Sequence, residues 1–420
     1  MMADGELFVR ADSPLIQFSG RSIIDASGAR SFDFPGALIS ARIVGYGSIT
    51  AILNESGTNR YAASLDGGKS WLPDTINTIS GRHEYTIPLE PTRLRGDFQL
   101  LKLTEACSAV FGCSWADYGV ATLLGLRLGG GARLQEPACA PRPRRLEFIG
   151  DSITAGWAST TRDPPAGENE TICNLGEDIR SSWAHLTAQK LDAEAPHVIA
   201  WGGIGLVQND DAGTRPEGAA SPAVWRRALA NDPKSLWDHS SWVPHATLIH
   251  LGTNDLCCSD PVRADPFESA YVDFIKEIVA VRGGGGGGKR RNLAAEMRAG
   301  LKAAVSSIGR SRIAPRGPPA SSTHDEDGQP HTFLLACGPM GNSKNGCDHT
   351  GRCDYFPCAT IERIARAVNA TGGARAHVLN FTGLMDDDAG VGGCRHPSER
   401  AHERMARIAA SKLREVFGWN

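Results

Sequence analysis

At 420 residues the chain is longer than one hydrophobic core usually serves, so two domains are expected. Its 41% apolar and 22% charged residues and its formal net charge of -3 suit a globular protein and give no reason to expect nucleic acid or an anionic membrane as partner. No run of roughly 18 apolar residues predicts a membrane span, and the first residues lack a secretion signal's basic and apolar regions, so either the protein is intracellular or the signal lies outside this chain.

From Leu15 to about Ala140 short apolar segments alternate with clusters of Gly, Asp, Asn and Pro, as in NRYAASLDGG, HEYTIPL and DFQLLKLTEA. Each is about a strand long and ends in turn chemistry. Residues 1–140 are therefore expected to form an all-β jelly-roll sandwich, a scaffold or binding surface without a catalytic constellation of its own.

At CAPRPRR the pattern changes, and apolar strands begin to alternate with helical stretches. Strands are predicted at Leu146–Gly150, His197–Trp201, Ala246–Leu251, Thr332–Ala336 and Ala376–Phe381. Helices are predicted at Ser182–Ala193, Pro266–Val281, Thr360–Asn369 and Ser398–Val416. That order predicts a three-layer α/β domain over 141–420, with a parallel sheet covered on both faces. Six consecutive glycines, Gly283 to Gly288, are followed by Lys289-Arg290-Arg291 and a stretch rich in Pro, Ser and acidic residues. Such a composition buries too little apolar surface to offset its ordering entropy. Residues 282–331 are thus read as a largely disordered insertion with a short helix at Asn292–Ser307, and as a solvated linker in preference to a basic nucleic-acid arm.

Eleven cysteines leave at least one unpaired within the chain if the others bridge. Cys347, Cys353 and Cys358 lie close together with His349 among them, but their spacing fits no common zinc finger, and loop thiols or a local disulfide are expected there instead of metal. Sequons at Asn54, Asn169, Asn369 and Asn380 would suit a secreted glycoprotein. The compartment stays open, between extracellular and intracellular.

The chemistry gathers at predicted strand ends. RRLEFIGDSITAGW is a strand that stops at Gly150-Asp151-Ser152, a tripeptide that on its own more often marks a plain turn than a turn that presents a serine hydroxyl. HVIAWGGIGLV ends a second strand in Gly202, Gly203 and Gly205, which expose backbone N–H groups. ATLIHLGTND ends a third, and Asn254 would reach the carboxyl edge of a parallel sheet, where such sheets place ligands. GGCRHPSERAHER sets His396 just before a helix opened by Pro397 and Ser398, where an imidazole can take a proton from Ser152. His402 is expected on that helix in a structural role. Trp157, Trp201, Trp242 and Tyr355 are candidate platforms for a sugar ring, and Trp201 is the favoured one because it adjoins the glycines.

Serine, glycine, asparagine and histidine in this order resemble the four blocks of the GDSL or SGNH hydrolase superfamily, matched by Ser152, Gly203, Asn254 and His396. Beyond these, FSGR at Phe18, FPGA at Phe34, SLDGG at Ser64, KLTEA at Lys102, LWDHSSWVP at Leu236, CGPM at Cys337 and GCRHPS at Gly393 look like carbohydrate esterase family two. The resemblance implies a jelly roll joined to an SGNH domain with a flavodoxin-like sheet. It also implies removal of acetyl groups from polysaccharides such as xylan and mannans, with Ser152 and His396 catalytic and Ser152, Gly203 and Asn254 forming the oxyanion hole.

The superfamily usually places an aspartate three residues before the histidine, and this chain has Gly393 there. A Ser-His dyad oriented by a backbone carbonyl is expected instead, with Asp386, Asp387 or Asp388 as an alternative orienting group. No metal or organic cofactor is expected, and the sequence leaves the oligomeric state open. An SGNH lipase, lysophospholipase or thioesterase, and a non-catalytic carbohydrate-binding protein, remain as alternatives.

Overall fold

The computed structural model describes residues 6–89, 95–111, 113–137, 144–161, 171–210, 218–256, 264–283, 330–340, 358–387 and 389–420. Up to Gln135 the described strands form two antiparallel sheets of six strands each. In one sheet Ala121–Gly129 lies between Gly47–Glu55 and Arg30–Phe32, and in the other Leu38–Val44 pairs with Arg95–Lys102. Leu38–Val44 alternates strictly in burial, so Ile39, Ala41 and Ile43 face the opposite sheet and meet Leu53, Leu123 and Leu126 in one apolar core. This is the jelly-roll sandwich.

The second half holds a five-stranded parallel sheet, whose strands we number β1 (Leu146–Gly150), β2 (His197–Ala200), β3 (Ala246–His250), β4 (His331–Cys337) and β5 (Ala374–Asn380). Their spatial order is β2-β1-β3-β4-β5, the flavodoxin-like arrangement. Period-two alternation sends Phe148, Val198 and Leu248 to one face and Ile149, Ile199 and Ile249 to the other. The first face is covered by Trp183–Lys190 (α1) and Glu399–Phe417 (α2), which supply Trp183, Ala184, Met405, Ala409 and Leu413. Ala264–Gly283 (α3) and Cys358–Ala370 (α4) cover the second with Phe267, Ile275, Ile361 and Ile364.

The expected strands and helices coincide with these elements to within two residues at each end, except that α1 stops at Lys190, three residues before the expected Ala193. The limits expected for the insertion do not: Arg282 lies in the last turn of α3 and His331 opens β4. Both are tied to the sheet, Arg282 by donating to Thr247 Oγ1 at 2.7 Å and to Glu147. The glycine run and the helix expected at 292–307 lie outside the described residues. Three disulfides are formed, Cys107–Cys113, Cys173–Cys394 and Cys337–Cys358. Cys358 therefore bridges the end of β4 instead of a neighbour in its own cysteine cluster, whose other members, Cys347 and Cys353, are outside the described residues. Among the described residues no group of His, Cys, Asp and Glu is placed to hold a metal ion.

One ion cluster joins the two halves. Glu147, on the inner strand β1, receives Arg282 from α3 and, at 3.1 Å, Arg21 from the sandwich, all three buried at their charged ends. Burial alone would raise the Glu147 carboxyl, but Arg282 and Arg21 more than offset it and hold it at about 2, below its ordinary 4.5. Its contribution to stability is thus present above the unfolded value and lost as pH falls through the folded one. Glu147→Ala leaves two guanidinium groups facing each other without a counterion. It should destabilise the protein by at least about 3 kcal/mol at neutral pH. Urea unfolding at pH 7 and again near pH 2 should show the difference from the unmutated protein shrinking between the two.

Candidate active site

Parallel register brings the chemistry to one edge. Gly150 is level with Ala200 of β2 and with His250 of β3, so the residues that follow each strand leave the sheet side by side. Beyond β1 the chain turns into the short helix Ser152–Ala155, capped by the Asp151 carboxylate, which accepts from Ile153 N–H at 3.0 Å. Gly150 is required by close approach: a Cβ there would lie 2.1 Å from Thr154 Oγ1. The turn is braced from beneath by α1, where Trp183 Nε1–H donates to Thr154 Oγ1 at 3.3 Å and Ser182 Oγ–H to the Thr154 carbonyl at 2.6 Å.

Ser152 Oγ stands 2.8 Å from His396 Nε2. The other ring nitrogen, Nδ1, is 2.9 Å from the carbonyl oxygen of Cys394. A carbonyl only accepts, so Nδ1 carries the hydrogen and Nε2 of the neutral ring is left to accept the serine hydroxyl proton. The expected carbonyl is therefore the orienting group. Asp387 instead faces Arg404 at 3.4 Å, Asp386 is exposed, and Asp388 lies outside the described residues. Position 393 is crowded for the usual aspartate, since a Cβ on Gly393 would lie 2.4 Å from Thr161 Oγ1 and the Thr161 side chain would have to shift.

His396 ends the turn Gly393–Arg395 and precedes the Ser398 N-cap of α2. Its ring meets the edge of Trp157, with centroids 4.6 Å apart at 71°. Beneath it His402 is fully buried on α2, accepting the Trp183 backbone N–H at 3.2 Å. Burial first, and then the neighbouring His396 and His250, lower His402 to about 3. It stays neutral and adds no charge beside an imidazolium at His396. Asp151 is buried as well, and burial raises its carboxyl, opposed by His250 with Nδ1 3.9 Å away.

Of the three glycines after β2, two have their N–H groups committed. Gly202 donates to the Glu105 carboxylate and Gly205 to Asn209 Oδ1 at 3.1 Å, which leaves Gly203 as the candidate donor to a ligand. Asn254, in the short helix Thr253–Leu256, gives one amide hydrogen to the Ile204 carbonyl at 2.7 Å. Its neighbour Asp255 accepts from Leu206, Val207 and Gln208 N–H at 2.7 to 3.0 Å and so shapes the same loop.

The aromatic candidates separate. Trp201 is fully buried in the core, so its ring offers no face to a sugar. Trp242 stacks on His197, the first residue of β2, at the edge opposite the site. Tyr355 lies outside the described residues. Of the three candidates among the described residues, Trp157 packs its ring against His396.

Sequence reasoning overlooked Glu105, which reaches in from the sandwich. Its carboxylate also accepts Trp115 Nε1–H at 2.9 Å, its backbone N–H donates to Glu177 at 2.6 Å, and its carbonyl accepts Lys102 Nζ at 2.9 Å. It stands in the KLTEA block, but nothing in that block tells that its partner is a strand end in the other half.

Serine, histidine, a committed asparagine and a glycine N–H at the carboxyl edge of a parallel sheet define a serine acyl hydrolase site in form. Residues 146–409 match the GDSL-like lipase/acylhydrolase family, and the chain belongs to it. Over 415 residues it is 24% identical to the cellulase/esterase CelE of Acetivibrio thermocellus, covering 97% of this chain and 40% of that protein. The chain thus spans less than half the length of that relative. It is 28% identical over 274 residues to an acetylxylan esterase / glucomannan deacetylase of Cellvibrio japonicus, covering 64% of this chain and 69% of the relative. Two family two carbohydrate esterase structures share its fold. The one from Clostridium thermocellum, in complex with cellohexaose, has a TM-score of 0.69 at 21% identity over 96% of this chain and 100% of that one. The one from Cellvibrio japonicus has a TM-score of 0.68 at 20% identity over 99% of each.

Glu105 and Gly393 can both be tested. Glu105→Ala releases the Gly202 N–H and loosens the glycine turn, and displacement of such supports by about an ångström costs on the order of a hundredfold. kcat on p-nitrophenyl acetate should fall by about ten- to a hundredfold. Gly393→Asp, which restores the usual acid, should lower the melting temperature and give no gain in kcat, because Thr161 occupies its space.

Proposed function

We propose that this chain is a serine esterase that removes O-acetyl groups from polysaccharides such as xylan or mannan through an acetyl-enzyme on Ser152. The observation that carries this reading is the relay from Ser152 Oγ to His396 Nε2 at 2.8 Å and from Nδ1 to the Cys394 carbonyl at 2.9 Å. The names of the relatives, an esterase and an acetylxylan esterase, give the ester class and the glycan.

His396 Nε2 takes the hydroxyl proton as Ser152 Oγ bonds to the acetyl carbon. The carbonyl oxygen gains the negative charge, and the N–H groups of Ser152 and Gly203 with the second amide hydrogen of Asn254 receive it. Collapse breaks the bond to the sugar oxygen, which leaves with the proton from His396. Water then gives a proton to His396, adds to the acetyl carbon and releases acetate, and the serine recovers its proton. Each step moves protons among Ser152, His396, water and the substrate.

Three disulfides suit an oxidising compartment, in which acetylated plant glycans would be met.

Ser152→Ala should lower acetate release from acetylated xylan or glucomannan by at least about a thousandfold. Asn254→Ala should lower kcat by about a hundred- to a thousandfold. Undiminished turnover by either variant would sink the role given to that residue. A preference for p-nitrophenyl octanoate over the acetate would instead favour a lipase or thioesterase of the same family.

A further inference from the structure

The turn that carries His396 is an unusual place for the group on which a base depends. Cys394, whose carbonyl accepts from Nδ1, has φ 49° and ψ 41°, and Arg395 after it has φ 58°. Two consecutive non-glycine residues thus sit in the left-handed region, which side chains with a Cβ disfavour. Such a conformation persists only where its surroundings over-determine it.

Backbone ties supply part of that restraint: Gly393 N–H donates to the Ala158 carbonyl at 3.1 Å, and Gly392 N–H to the His396 carbonyl at 2.7 Å. At Cys394 itself the restraint is covalent. Its sulfur is joined to Cys173, 221 residues earlier in the chain and fully buried, in the short helix Thr171–Leu175. That helix is pinned by Arg60 of the sandwich, whose guanidinium donates to the Leu175 carbonyl at 2.7 Å and to the Glu177 carbonyl. Asn174, next to Cys173, accepts Trp157 Nε1–H at 3.2 Å, and Trp157 is the ring against His396. One segment therefore reaches the imidazole twice, through the bridge to the carbonyl at Nδ1 and through Trp157 to the ring.

We infer that the Cys173–Cys394 disulfide is a positioning element for the base, fixing the Cys394 carbonyl where an acid would otherwise hold His396. This rests on the esterase reading of Ser152 and His396. It assigns the bridge a role in the rate of serine attack that a general staple of the fold would not have.

The test is the Cys173→Ser variant, with a fluorophosphonate as probe. The probe adds to Ser152 and counts competent sites, and its rate per site reports how well the base activates the hydroxyl. In Cys173→Ser the number of labelled sites should match the unmutated enzyme. The labelling rate per site and kcat on p-nitrophenyl acetate should both fall by about tenfold or more, with KM changed less than twofold. A labelling rate within twofold of the unmutated enzyme overturns the inference and leaves the esterase reading intact. So does an activity loss that only tracks a loss of labelled sites, since the bridge would then be holding the fold together. Failure of the unmutated enzyme to label at Ser152 overturns both.

Discussion

In the proposed mechanism, a histidine oriented without a carboxylate depends on one dipole. The Cys394 carbonyl selects the tautomer of His396 and sets its plane, as an aspartate would, but it brings less charge to stabilise an imidazolium and no side-chain torsion with which to follow the ring. The site therefore relies on a backbone that stays where it is. Much of the surrounding structure serves that end: the tie from Gly393 to Ala158, the N-cap Ser398 that starts α2 directly after the histidine, and the neutral His402 beneath it. Thr161 fills the space where an acid would sit, so the missing carboxylate and the packing around position 393 are one arrangement.

The placement of Ser152, Gly203 and Asn254, the proposed nucleophile and oxyanion donors, follows from sheet register. Gly150, Ala200 and His250 are level across three parallel strands, and Ser152, Gly203 and Asn254 each follow within four residues of that line, whereas His396 arrives from the turn before α2. Precision beyond the register comes from hydrogen bonds that hold the turns behind it. Glu105 takes the N–H of Gly202, Asp255 gathers three N–H groups of the loop that follows, and one half of the Asn254 amide is spent on Ile204. These commitments fix the direction of the groups left over.

Much of this was legible in the sequence, for identifiable reasons. The apolar runs at 146–150 and 246–250 stop sharply at turn residues, and Pro397-Ser398 announces a helix start behind His396, so Ser152, Asn254 and His396 could be placed on an edge before any coordinates. Local patterns carry no information about distant partners, and the misses fall there. Glu105 and Gly202 are 97 residues apart and Cys173 and Cys394 are 221 apart, with nothing in either member to name the other. Trp201 was favoured because it neighbours the glycines, but a strand-end side chain points to one face or the other, and this one points into the core. Gly150 reads in the sequence as a turn residue, and in the structure its lack of a side chain also makes room for Thr154.

The contact between Glu105 and Gly202 has a consequence for how such a chain can be rearranged. A sandwich attached by a flexible tether could be exchanged for another domain by cutting at the connector. Here the sandwich supplies the buried carboxylate that holds the glycine turn, and its Lys102 and Arg21 are buried against groups they help to organise. The two halves are thus inherited as one piece. An exchange that preserved both folds would still deliver a mismatched surface to the glycine turn, and the seam of the molecule is a poorer place to recombine it than its two ends.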